Sequence, residues 1–174
     1  NGNVLIAQKG VIVYQNSFGY SNYERKDSLT TETRFQLASL SKTFTAVAVL
    51  KLMEDGFIHL NDKITDYFPS LPFRNVTIEM LLDHRSGIAN YVNIYGDQVE
   101  NQNLYPDNND ILRWLEKCPR KFIDLPGRNF SYSNTNYLLL ASLIEKVTCT
   151  SFSEYLHKNI LEPLGMSNTY LLTD

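Results

Sequence analysis

Between Ser39 and Glu54 the chain carries Phe44, Ala46, Val47, Ala48, Val49, Leu50, Leu52 and Met53, apolar side chains almost all round a helix. A helix patterned this way in a water-soluble protein is buried on most of its sides. Asp55-Gly56 closes it, with glycine at the position just past the end. The rest of the chain must supply layers that cover this helix. No other segment restricts the fold as much.

The covering elements are mostly helical. Residues 61–67 form a short helical turn stopped by Pro69, and residues 77–84 read as a helix capped by Thr77. Residues 110–117, 135–147 and 152–161 follow the same helical pattern, and Leu125-Pro126-Gly127 is a turn. Strands are scarce. Val4-Leu5-Ile6-Ala7 and Val11-Ile12-Val13-Tyr14 flank Gln8-Lys9-Gly10 as a tight hairpin continuing to about Gly19. Residues 21–33 read as loop, residues 34–37 as an extended lead into Ser39, and Thr169–Leu172 as the start of another element. A two-stranded ribbon is marginal in water by itself, so the sequence is short of strands. It also enters its first strand directly after Asn1-Gly2-Asn3, with no signal peptide, as a chain trimmed to the edge of a fold would.

At 174 residues the length suits one domain. The net charge of −3 is spread along the chain, which excludes the basic stripe of a nucleic-acid binder. No apolar run approaches the roughly 18 residues of a transmembrane segment. Cys118 and Cys149 fit no metal spacing and read as free and buried rather than bridged. His59, His84 and His157 lie on separate elements without ligand spacing and read as structural or surface residues, so neither metal nor organic cofactor is implied.

The chemistry starts at Ser39-Leu40-Ser41-Lys42. A serine in the first turn of a helix and a lysine three residues on share a face, which places an amine beside a hydroxyl near the positive helix end. That is how a serine nucleophile is activated without histidine. Taken alone the pattern is weak, since a chain of this length contains it about once by chance. On spacing alone, Ser39 as a helix cap and Lys42 as a solvated side chain is the more ordinary explanation. Tyr132-Ser133-Asn134 adds a phenol and an amide on one side of an extended segment, just ahead of a helix. Tyr14, Tyr20 and Tyr91 also stand two residues before an asparagine, but Tyr14 and Tyr20 belong to the hairpin and its exit. The long loop at residues 90–108 is of a length usually reserved for function.

Taken together these residues resemble the serine β-lactamase and penicillin-binding protein family, in its class C β-lactamase, D-Ala-D-Ala carboxypeptidase and esterase branch. Tyr132-Ser133-Asn134 stands where class A enzymes carry Ser-Asp-Asn. Leu81-Leu82-Asp83-His84-Arg85-Ser86-Gly87-Ile88 and Leu161-Glu162-Pro163-Leu164-Gly165-Met166 are similar to family stretches, in the family's order. The resemblance implies an α+β, β-lactamase/transpeptidase-like fold, an antiparallel sheet flanked by helices. Here it would be an incomplete domain spanning residues 1–174, with a hairpin at 1–20 and a mainly helical region at 39–174.

The resemblance further implies that Ser39 attacks an amide or ester carbonyl, with its own backbone N–H as one oxyanion donor. Lys42 would act as base or activator, Tyr132 as proton shuttle, and Asn134 would bind the substrate's amide side chain and position Lys42. Substrates would be a β-lactam, a peptidoglycan peptide or a small ester, in a periplasmic or extracellular setting. The family's third motif, Lys-Thr-Gly or a His-x-Gly variant on a late strand, is missing, and with it the second oxyanion donor and the middle of the sheet. The chain is therefore expected to be inactive alone, with a further C-terminal segment or a second chain completing the sheet. A non-enzymatic sensor that keeps the fold is the alternative.

Overall fold

A computed structural model describes residues 1–94, 106–117 and 122–172. It divides into two compact units, Asn1–Ala38 and Ser39–Asp174. In the first, β1 (Gly2–Gln8) pairs antiparallel with β2 (Val11–Phe18). Val4 lies opposite Asn16 and Ile6 opposite Tyr14, with a register shift between Ile6 and Ala7. Lys9 and Gly10 close the ribbon with φ of 51° and 79°, the left-handed pair of a turn whose twist matches its strands. Val4, Leu5, Ile6, Val11, Ile12 and Val13 are all exposed.

A second small hairpin, β3 (Tyr20–Asn22) with β4 (Asp27–Ser28), occupies part of the stretch read as loop. Polar side chains build it. The Asn22 carboxamide accepts from the Arg25 amide at 2.9 Å, Arg25 Nε pairs with Asp27 at 2.8 Å, and Lys26 turns left-handed at φ 56°. Apolar alternation carries no trace of such a turn.

The second unit is helical. A 3₁₀ turn (Ala38–Leu40) leads into α1 (Ser41–Glu54). The expectation that α1 is buried on most sides is corrected. Thr45, Ala48, Val49 and Leu52 are buried, whereas Val47 and Leu50 on the other side are 43% and 41% exposed. Gly56 ends the helix as expected, with φ 77° and its amide on the Met53 carbonyl.

Next come α2 (Ile64–Tyr67) and α3 (Ile78–Leu82), the latter capped by Thr77 Oγ1 accepting from Met80 N at 3.2 Å. The expected helix to residue 84 stops at Leu82, because His84 adopts φ 55°. After α4 (Tyr91–Ile94), most of the loop expected at 90–108 lies outside the described residues, as does Cys118. α5 (Asn108–Lys117) precedes α6 (Asn134–Thr148), the helix the others surround: α1, α2, α3, α4, α5 and α7 (Phe152–Leu156) all pack on it. Leu138, Leu139, Leu140, Leu143 and Ile144 of α6 are buried, each contributing about 2 kcal/mol of apolar transfer at most.

Cys149 closes α6 in a left-handed conformation (φ 55°); its thiol is free and exposed, not buried as expected. Ser151 caps α7 (Phe152–Leu156), which runs on into a π-helical turn, His157–Leu161. Residues 169–172 are irregular chain rather than a new element.

Candidate active site

Ala38 holds φ 46°, a left-handed conformation that costs a residue with a Cβ about 1 kcal/mol or more. It directly precedes Ser39, which is exposed in the 3₁₀ turn rather than within α1. Two groups converge on the Ser39 hydroxyl. The Tyr132 phenol donates to Oγ at 2.8 Å, and Lys42 Nζ donates to it at 3.1 Å. Lys42 also donates to Asn134 Oδ1 at 2.8 Å, so its amine bridges the serine and the amide. All four residues selected from the sequence meet at one point, although 92 positions separate Lys42 from Asn134.

The electrostatics follow from this packing. The hydrogen bond from Lys42 holds the Tyr132 phenol below its usual pKa, with the contact to Ser39 adding to the effect. Lys42 Nζ also lies 5.0 Å from the Tyr132 ring centroid and 5.8 Å from that of Tyr137, in cation–π range. A serine oxygen thus faces a phenol biased toward its anion and an amine able to hold a proton. Such a set can move a proton off the serine and onto a leaving group.

What holds Tyr132 and Asn134 in place comes from the segment after α3. Thr135 Oγ1 donates to the Ala89 carbonyl at 2.7 Å and accepts from the Tyr91 amide at 2.8 Å. Asn134 N reaches Asn90 Oδ1 at 3.3 Å. Buried Ser86 donates to Asn136 Oδ1 at 2.7 Å, and Tyr137 donates to the Leu82 carbonyl at 3.1 Å. Arg85 ties down the turn before Tyr132 by donating to the carbonyls of Gly127 and Arg128.

His84, read from the sequence as structural or surface, is buried directly behind Tyr132, with ring centroids 4.5 Å apart. Its place beside Ser86-Gly87 in the family-like stretch was the available signal. Burial chiefly, and Lys42 next, push its imidazole below the ordinary pKa, against a smaller opposite pull from Asp83.

Two surface depressions of about 470 and 210 Å³ border α7 and the π turn, and neither includes a residue of the Ser39 cluster. Among the described residues there is no cluster able to hold a metal ion, and no helix long and apolar enough to cross a membrane.

Comparison with known proteins identifies the family. The beta-lactamase family model matches residues 2–174. Penicillin-binding protein 4* of Bacillus subtilis is 37% identical over 169 residues, covering 97% of this chain and 37% of that protein. The penicillin-binding protein structure from Bacillus halodurans superimposes with a TM-score of 0.82 at 29% identity, over 98% of this chain and 53% of that one. The D-amino acid amidase of Ochrobactrum anthropi gives 0.78 at 28% identity, over 97% and 45%. The chain thus spans between about a third and a half of these relatives' lengths. Matched along nearly all of its residues, and with an α+β fold of the β-lactamase/transpeptidase-like type, the chain belongs to the beta-lactamase family.

Proposed function

We propose that this chain carries the acylation half of a serine hydrolase or acyltransferase active site of the class C-like branch, with Ser39 as nucleophile. The single observation that carries the reading is the seating of Ser39 Oγ between the Tyr132 phenol and Lys42 Nζ. In the first step Ser39 Oγ bonds to the carbonyl carbon of an amide or ester, and its proton passes to Tyr132 or Lys42. The tetrahedral oxyanion is met by the Ser39 backbone N–H. Collapse breaks the carbonyl bond to the leaving group, which takes the proton, and an acyl-Ser39 remains. Water, activated by the same pair, then releases the acid. Asn134 keeps Lys42 aligned and offers its amide to the substrate's own amide.

The substrate would be a β-lactam, a D-Ala-D-Ala peptide or a small ester, met in the periplasm or outside the cell. The name of one relative, a penicillin-binding protein, favours the first, and that of the amidase favours amides more broadly. We also propose that full turnover needs a further segment or a second chain that completes the sheet and brings a second oxyanion donor. The exposed Val4, Leu5, Ile6, Val11, Ile12 and Val13 support this. A missing oxyanion donor costs about 3–4 kcal/mol of transition-state stabilisation.

The test is intact-mass analysis after incubation with a penicillin and with an activated ester probe, on this chain and on the product of its complete reading frame. A single adduct that disappears in Ser39→Ala is expected on the longer protein. An adduct retained in Ser39→Ala refutes the assignment. An adduct that never hydrolyses identifies an acylated sensor instead of an enzyme.

A further inference from the structure

Three contacts from one residue hold the segment that carries Tyr132. His84 accepts the Ser131 amide on its carbonyl at 2.7 Å and the Ser133 amide on its ring Nδ1 at 3.2 Å, and its ring lies against the Tyr132 ring at 4.5 Å. The left-handed backbone of His84, φ 55°, lets its carbonyl and its imidazole face the same short segment. Both neighbours of Tyr132 are thus pinned by His84. A backbone amide can only donate, so Nδ1 must present its lone pair and the ring proton sits on Nε2. The Asn136 carboxamide nitrogen also approaches Nδ1, at 3.4 Å, while its oxygen takes the Ser86 hydroxyl. Two donors therefore point at one nitrogen, and a proton placed there would face both.

We propose that His84 is a positioning residue that holds Tyr132 against Ser39 only while its imidazole is neutral, so that protonating His84 releases the phenol and sets an acid limit on Ser39 acylation. This rests on the assignment of Ser39 and Tyr132 given above. The groups facing the ring all bear on it. Lys42 of α1 opposes a second positive charge, Asp83 on its own turn favours one, and Tyr132 and Tyr137 present ring faces. Arg85, next in sequence, is directed to the Gly127 and Arg128 carbonyls. Burial to 8% exposure leaves little water to compensate the amides that protonation would displace.

His84→Asn is the informative variant. Asparagine tolerates the left-handed conformation and can accept the Ser133 amide through its side-chain oxygen, but it does not titrate. Two readouts are followed on the product of the complete reading frame: the ¹³C ring resonance of Tyr132, identified with Tyr132→Phe, and the rate of ester-probe labelling. In the wild type the Tyr132 resonance should move with a single acid transition that is absent from His84→Asn. The ratio of wild-type to His84→Asn labelling rates should fall in step with that transition as the pH is lowered from about 8 to the acid limit of the folded protein. A Tyr132 resonance and a rate ratio that are both flat across this range overturn the proposal. A Tyr132 transition in a protein that Ser39-directed probes never label supports the positioning role while refuting the nucleophile assignment.

Discussion

The Tyr132 phenol donates to Ser39 Oγ at 2.8 Å across 93 positions of sequence. Each partner is held by a different device. Ser39 follows the left-handed Ala38, whereas Tyr132 is stacked on His84 with its flanking amides hydrogen bonded. The contact is assembled from two short segments that are each over-determined locally.

Replacing Tyr132 by phenylalanine keeps the ring on His84 and removes only the hydroxyl. Acylation of Ser39 should fall about 10²–10⁴-fold, with the melting temperature nearly unchanged since Tyr132 is 45% exposed. The ultraviolet difference titration between wild type and Tyr132→Phe should show a phenol ionising below the ordinary tyrosine pKa, as its contacts with Lys42 and Ser39 require.

Leu143 of α6 is fully buried at the centre of the second unit. Leu143→Ala should cost about 2–5 kcal/mol of unfolding free energy, read from urea denaturation. Val47→Ala on the exposed side of α1 should cost well under 1 kcal/mol. Equal losses at the two positions would contradict the burial difference between the helices.

Stability should decline on the acid side in two stages. His84 has its folded pKa depressed, so its contribution is fully present above the ordinary value of 6.5 and is lost as pH falls through the folded value. Asp62, lowered mainly by the Tyr67 hydroxyl, behaves in the same sense below its ordinary 3.8. Denaturant midpoints measured against pH should show both stages in the wild type, with the upper one absent from His84→Asn. A proton-linked slope there is at most about 1.4 kcal/mol per pH unit.

Gly87 and Gly165 have almost the same left-handed φ, 68° and 67°. A Cβ on Gly87 would meet the Asp124 carbonyl oxygen, whereas one on Gly165 meets nothing within 4 Å. Both alanine variants carry the backbone penalty of about 1 kcal/mol, and Gly87→Ala should lose distinctly more in thermal denaturation. It should also slow Ser39 acylation, since the backbone it disturbs continues into the turn before Tyr132.

Much of this was legible in the sequence because the signals were local. Glycine at position 56, threonine at position 77 and the apolar runs on either side of Lys9-Gly10 each specify an element within a few residues. The meeting of the candidate side chains was legible through spacing and company, from Ser39 with Lys42 to Tyr132 with Asn134. Two features escaped. The small β3–β4 hairpin is held by Asn22, Arg25 and Asp27 side chains, which hydrophobic periodicity does not register. His84 escaped because it acts through a left-handed turn and a stacked ring, and no ligand or triad spacing points to that. The burial of α1 was overread for a related reason: an all-round apolar pattern states what a helix can bury, while its neighbours decide how much it does.

The opening turn of α6 serves two functions at adjacent positions. Asn134 reaches Lys42, Thr135 fastens the Ala89 carbonyl, Asn136 takes the Ser86 hydroxyl, and the buried leucines begin at Leu138. Each residue of a helix is turned about 100° from the last. A single insertion or deletion in this turn would therefore swing the amide away from Lys42 and carry the leucines out of the core in the same event. Lineages descended from such a protein can lengthen or shorten their loops, but residues 134–138 must pass unchanged in number from one generation to the next.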